Sequence, residues 1–221
     1  MISQTEENYL KAIFTLTSLK GDASVNEISK QLDIKMPTVN SMMKRLAEKD
    51  LVIYESYKPL KLTAKGKKQA ALIIRKHRLT EMYLTEKMGF GWEEVHDIAE
   101  QIEHIQSPAF FAKMDELLGY PKVDPHGSPI PDINGNLAVE PYVKLNDCKE
   151  GDIATFMAVQ PSSEELLKFL NSRKLSLGLD LKIQRVEPFD GSMAVSYRER
   201  KTEMLSNHVC EKLLVVKKKK K

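Results

Sequence analysis

Two imidazoles and two carboxylates stand within nine residues of one another, as His96, Glu100, Glu103 and His104. At about 100° per residue along a helix, these four side chains cluster in an arc of roughly 100°. Imidazole nitrogen and carboxylate oxygen together are a donor set for a first-row divalent metal. Upstream, His77 and Glu81 stand at i and i+4, so a helix there would carry both on one face. A Glu/His stripe can also be a solvated helix face, and for a lone pair such as His77/Glu81 that plainer reading wins. Six such groups on neighbouring helices favour a metal. Hydrolytic metal chemistry is a competing use, but His-Glu-x-x-His and His-x-x-Glu-His are absent, as are a glycine-rich phosphate loop, a nucleophile elbow and Cys-x-x-Cys. The expectation is therefore a metal-binding protein that is not an enzyme.

The elements that must hold these residues follow from periodicity and caps. Ser3-Gln4-Thr5-Glu6 reads as a capping box, followed by Leu10, Ile13 and Phe14 at helical spacing, with Gly21-Asp22 ending the helix. Ser24 opens a second helix, Asp33-Ile34-Lys35 is a turn, and Pro37 suits the first turn of a third. Residues 51–54 and 60–63 read as two strands around Pro59. Helix, turn, helix and hairpin make a winged helix-turn-helix, whose second helix offers its N-terminal side chains to the major groove. Those are Lys35, Pro37, Thr38, Asn40, Ser41 and Lys44, suited to base edges, a thymine methyl and phosphates. Lys58, Lys61, Lys65, Lys67 and Lys68 suit the DNA backbone. The plainer alternative is a three-helix packing unit with a solvated lysine face.

Further helices are expected over 64–88, 92–105 and 108–119, with Val95, Ile98, Ile102 and Ile105 as the apolar face of the second of these. Residues 121–136 read as a linker or ordered loop. Beyond Tyr142, β-like runs at 153–159, 179–186 and 193–197, with a helical insert at 162–171, suggest a small β-barrel. Lys217–Lys221 reads as a solvated basic tail, and His208 as a surface residue.

Of 221 residues, 42% are hydrophobic and 29% charged, so a packed core is feasible. Residues 1–70 carry 12 basic and 8 acidic side chains, whereas 71–122 carry 6 and 9. That asymmetry suits nucleic acid at one end and cations in the middle. No run is apolar enough for a membrane span, and Met1-Ile2-Ser3-Gln4 is no signal peptide. With only Cys148 and Cys210, no disulfide framework is expected, which fits a cytoplasmic location.

The chain resembles the diphtheria-toxin-repressor family of iron- and manganese-dependent regulators. The resemblance rests on Thr5-Glu6-Glu7-Asn8-Tyr9-Leu10, Pro37-Thr38-Val39, Leu62-Thr63-Ala64-Lys65-Gly66, Arg75-Lys76-His77-Arg78-Leu79, Val95-His96-Asp97, Ile102-Glu103-His104 and Pro125-His126-Gly127-Ser128-Pro129-Ile130-Pro131. It implies a mainly α fold with β: a winged helix-turn-helix over 1–70, a helical dimerisation and metal-binding domain over 71–136, and an SH3-like small β-barrel with the basic tail over 137–221. It further implies two metal sites per subunit for Mn²⁺ or Fe²⁺. The effector site would use Asn8, Glu100, Glu103 and His104. The second would use His77, Glu81 and His96, completed by Glu165 or Glu164, with Asp124 and His126 as further candidates. Lys11 stands where compact manganese-sensing members carry a carboxylate, and so cannot complete their paired-metal cluster.

The implied function is a homodimeric repressor. Metal would promote its binding to palindromic double-stranded operators of metal-uptake genes, with Phe110, Phe111, Leu117 and Leu118 in the dimer contact. Iron-sensing members place cysteine at the position of Glu100 and methionine at that of Asn8. Oxygen donors at both make a harder site, suited to Mn²⁺ or Fe²⁺. The alternatives are a metallohydrolase, or a metal-binding protein that does not touch DNA.

Overall fold

A computed structural model describes residues 2–56, 58–160 and 163–218. The chain divides into two compact units. The first comprises Met1–Thr80, Ala99–Lys122 and Ile130–Ala138, and the second Glu81–Ile98, Val123–Pro129 and Val139–Lys221.

The first unit begins with α1 (Gln4–Lys20), opened by the expected capping box: Glu6 N donates to Ser3 Oγ at 3.4 Å, and Ser3 N to Glu6 Oε2 at 2.7 Å. Helix α2 (Val25–Leu32) opens on a second such box, Ser24 with Glu27. Asp33, at a φ of 52°, turns the chain into α3 (Met36–Glu48), with Pro37 in its first turn. Tyr9, Leu10, Ile13, Ile28, Val39, Met43 and Leu46 form the shared core. Strands β1 (Val52–Ile53) and β2 (Lys61–Leu62) pair antiparallel, shorter than expected, and Leu60 bridges to Ala23. Tyr57 lies outside the described residues.

Helix α4 (Ala64–Met88) starts where Gly66 N donates to Thr63 Oγ1 at 2.9 Å. Gly66 has to be glycine, because a Cβ there would stand 1.9 Å from the Leu51 carbonyl oxygen.

Helix α5 (His96–Ile102) corrects the expected 92–105 span. Residues 92–94 form a turn instead, with Gly91 N donating to Glu94 Oε2 at 2.8 Å. In the second unit, Trp92 packs against the C-terminal core and its Nε1 donates to Asn171 at 2.8 Å. Glu103 and His104 lie in a turn past the helix end, although Glu103 N still donates to Ala99 O at 2.9 Å. The expected apolar face also shifts: Val95 and Ala99 are buried, while Ile105 is 41% exposed and Glu103 fully buried. Helix α6 (Pro108–Leu117) follows, capped by Ser107.

Residues 121–136 are an ordered loop, pinned by Ile130 N on Lys122 O at 2.8 Å and Arg75 on Pro131 O at 2.7 Å. The C-terminal sheet comprises β3 (Val143–Lys144), β4 (Ile153–Val159), β5 (Asp180–Val186), β6 (Met193–Tyr197), β7 (Arg200–Leu205) and β8 (Leu213–Lys217). All pairs are antiparallel, in the order β3-β8-β4-β5-β6-β7. Register shifts in β4, β5 and β6 bend the sheet into its small SH3-like form. Helix α7 (Glu164–Ser172) is the expected insert, whose proposed first residue, Ser162, lies outside the described residues. Helix α8 (Asn207–Cys210) precedes β8 and carries the exposed His208. Lys217 belongs to β8, opposite Ala154, and Lys218 pairs with Asp180 at 2.5 Å, so the basic tail is in part a strand end. Residues 219–221 are outside the described set. Both cysteines are free and buried.

Candidate metal centres and DNA-facing helix

Glu103 is the centre of the first unit's polar cluster, with none of its surface exposed. Lys11 Nζ donates to both its oxygens, at 2.8 and 3.0 Å, and also to Glu100. His77 Nδ1 lies 2.6 Å from Glu103 Oε2 and 3.8 Å from Glu100. His104 Nε2 lies 3.6 Å from Glu103 Oε1. Burial pushes the Glu103 carboxyl up, but the His77 hydrogen bond and the charges of Lys11 and His77 outweigh it and hold the group below its ordinary value.

His104 is oriented from behind. Its Nδ1 is 2.6 Å from buried Glu7 Oε2, and Glu7 in turn accepts from Gln106 at 3.0 Å. A carboxylate on one imidazole nitrogen fixes the tautomer and leaves the other nitrogen as a ligand. Sequence reasoning missed Glu7, because an acidic residue in a first helical turn already has a local explanation. Asn8 Oδ1 is buried with no hydrogen-bond partner among the described residues.

This cluster brings three of the four expected effector residues, Glu100, Glu103 and His104, into one pairing network. It adds His77, which was expected in the second site. His77, Glu100 and Glu103 each offer a donor atom within 4.8 Å of the others. Asn8, the fourth expected residue, lies on α1 three residues before Lys11, with its amide oxygen buried and without a partner among the described residues. Hard oxygens with imidazole fit a first-row divalent ion, and a buried acceptor without a partner is what such an ion would satisfy.

In the second unit, Glu81, Asp124 and His126 form another group within the same 4.8 Å limit. His126 Nδ1 lies 3.6 Å from Glu81 and 3.9 Å from Asp124. Its Nε2–H donates to the Trp92 carbonyl at 2.8 Å, which turns Nδ1 toward the two carboxylates. Burial lowers the His126 pKa, but Glu81 and Asp124 outweigh it and raise the group above its ordinary value. Asp124 accepts from the backbone N–H of His126 at 2.8 Å and of Ser128 at 2.9 Å, so the loop is wound around its own carboxylate. His96 Nδ1 reaches Glu81 at 3.4 Å, on a side chain 64% exposed. Glu164 and Glu165 are exposed on α7. Glu164 pairs with Lys168 at 2.6 Å, and neither joins a donor group among the described residues.

Of the α3 residues, Lys35, Pro37, Thr38, Ser41 and Lys44 are exposed together. Asn40 departs from the expectation: it is half-buried and its Oδ1 accepts from Tyr54 OH at 3.0 Å, tying α3 to the hairpin. All five expected backbone-facing lysines are exposed. Phe111 is buried in its own unit beneath the Lys76 ammonium, 5.6 Å from the ring centroid, while Phe110 and Leu117 are exposed.

Three family models match in order along the chain. They are the N-terminal DNA-binding domain of iron-dependent repressors over residues 1–60, the metal-binding and dimerisation domain of the same proteins over 63–132, and the FeoA domain over 143–217. The transcriptional regulator MntR of Oceanobacillus iheyensis is 33% identical over 124 residues, 56% of this chain and 84% of the relative. The chain belongs to the diphtheria-toxin-repressor family. The diphtheria toxin repressor of Corynebacterium jeikeium is 34% identical over 130 residues, 59% of this chain and 54% of that one. The match thus spans about half the length of such curated members of the family. Among solved family structures, a manganese-dependent transcriptional repressor in complex with manganese superposes with a TM-score of 0.89 at 30% identity, covering 96% of this chain and 99% of its own. Another, ScaR with bound Zn²⁺, gives 0.79 at 30% identity, covering 96% and 98%.

Proposed function

We propose that the chain is a cytoplasmic, metal-dependent transcriptional repressor. Mn²⁺ or Fe²⁺ would be its co-repressor, and a homodimer would bind palindromic operators of metal-uptake genes. The observation that carries this reading is the buried Glu103 cluster. It brings α1 of the helix-turn-helix, through Lys11, against Glu100 and Glu103 at the end of α5, and Asn8, with its orphan oxygen, stands three residues before Lys11 on the same helix. The effector ligands are Asn8, Glu100, Glu103 and His104, with His77 beside them. Glu81, Asp124, His126 and His96 form the second site, which replaces the expected α7 carboxylate with the 124–128 loop. The division into residues 1–70, 71–136 and 137–221 accompanies this assignment.

An ion at the effector site would supply the positive charge that holds an α1 oxygen against the α5 carboxylates. Glu7 keeps His104 facing that place, and burial strengthens each electrostatic contact. A fixed α1 fixes α3 with it, because Tyr9, Leu10, Ile13, Val39 and Met43 share one core. Two α3 helices held one helical turn of DNA apart could then enter successive major grooves. Exposed Phe110 and Leu117 on α6 suit the two-fold contact.

The test is gel retardation of duplexes selected from a random pool, run in Mn²⁺ and in chelator and at several salt concentrations. Retention in Mn²⁺ that is lost in chelator and falls steeply with salt is expected. Equal retention in both, or none in either, would overturn the reading.

A further inference from the structure

The Lys11 ammonium is bonded to the same two carboxylates that the effector ion is assigned to use. It donates to Glu100 and to both oxygens of Glu103, and the lysine side chain is only 19% exposed. One ammonium thus satisfies three hydrogen bonds and offsets two negative charges, one of them fully buried. Asn8 stands three residues earlier on α1, and so on the same face, with its amide oxygen buried and without a partner among the described residues. Helix α1 therefore presents a cation that satisfies the carboxylates and, three residues before it, an acceptor oxygen with no hydrogen-bond partner among the described residues.

A buried carboxylate stripped of its partner is costly, so these groups are held by one cation or another. Glu103 is already crowded by Lys11, His77 and His104 at 2.8, 2.6 and 3.6 Å. A divalent ion bound there with two carboxylate ligands would have to take oxygen lone pairs that now accept from the lysine. An ammonium on a four-carbon stem, already part-exposed, can swing into solvent without moving the helix.

We infer that Lys11 is a tethered competitor of the effector metal: its ammonium holds Glu100 and Glu103 in the metal-free protein, must leave for the ion to bind, and so raises the metal concentration at which the site fills. This rests on the effector-site assignment above, and it adds that metal affinity is limited by a residue that is not a ligand. A like-charged side chain of fixed geometry would compete similarly, whereas a neutral one of the same length would not.

The test is a direct titration of the chelator-treated full chain with Mn²⁺, reading free Mn²⁺ by electron paramagnetic resonance. Wild type is compared with Lys11→Met and Lys11→Arg. Lys11→Met is expected to tighten one class of sites by about tenfold or more, a change of about 1.4 kcal/mol, and to leave the other class unchanged. Its metal-free thermal midpoint should fall, and Lys11→Arg should stay near wild type. A lysine with a purely structural role would lower the midpoint without tightening the metal, which would overturn the inference. Equal binding by wild type and Lys11→Met would overturn the inference alone. No binding by either would overturn the metal-site assignment with it. Lys11→Gln, with a polar tip, repeats the comparison if methionine disturbs the fold.

Discussion

Glu6 and Glu103 are adjacent problems in electrostatics: each is a carboxylate with no exposed surface. Glu103 meets histidines and one lysine, a set that, as proposed above, can admit a metal once the lysine leaves. Glu6 meets Lys49 at 2.6 Å, Arg45 at 2.9 Å and the Ser3 backbone N–H at 2.7 Å, a set that cannot. Burial pushes the Glu6 carboxyl up, yet the Lys49 and Ser3 hydrogen bonds and the two cations hold it below its ordinary 4.5. A carboxylate whose folded pKa lies below its unfolded one contributes stability that is complete above the unfolded value and lost as pH falls through the folded value. The expected outcome is a thermal midpoint that drops as pH falls below 4.5, with a shallower drop in Glu6→Gln. Equal slopes between about pH 3 and 6 in the two proteins would contradict the pairing. The helical spacing of Glu100 and Glu103 made them legible in the sequence. Glu7 was not, because its partner His104 is 97 residues away and nothing local marks the pair.

At the scale of elements, local chemistry announced itself best. Both capping boxes, Pro37 and the Thr63 start of α4 stand where Ser, Pro and Thr predict them, since a cap depends on residues only three positions apart. The end of α4 and the start of α5 were less legible, because Trp92 is drawn to Asn171, far along the chain. Strand β7, Arg-Lys-Thr-Glu-Met-Leu, is a sheet edge with little apolar alternation to reveal it. The loop at 124–128 carries Asp124 and His126, assigned above by proposal to the second site. Gly127 has a φ of 83°, and a Cβ there would stand 2.1 Å from the Met157 carbonyl oxygen on β4. Gly127→Ala should therefore cost roughly 2 kcal/mol or more, from left-handed strain and the clash together. Denaturant unfolding measures it. A loss under about 0.5 kcal/mol, the range of ordinary surface substitutions, would mean that the loop is not held against β4 as described.

Across the whole molecule, the basic first third and acidic middle read from composition correspond to distinct surfaces and sites. The lysines of α3 and the hairpin are exposed, whereas Glu7, Glu81 and Glu103 are buried among histidines or cations. Net charge alone, at +3, would have concealed that division. Sequence spacing could not by itself sort the ligands between sites, because His77 also lies 2.6 Å from Glu103, 26 residues away along the chain. On the proposed reading, metal held at the Glu103 cluster licenses DNA binding. That reading is tested most directly by titrating Mn²⁺ into wild type and His104→Ala and measuring retention of a duplex selected by the wild-type protein. Wild-type retention is expected to rise with Mn²⁺, and His104→Ala, folded and still able to bind metal at its second site, to gain none at any Mn²⁺ concentration. Metal-dependent retention by His104→Ala equal to that of wild type would contradict it.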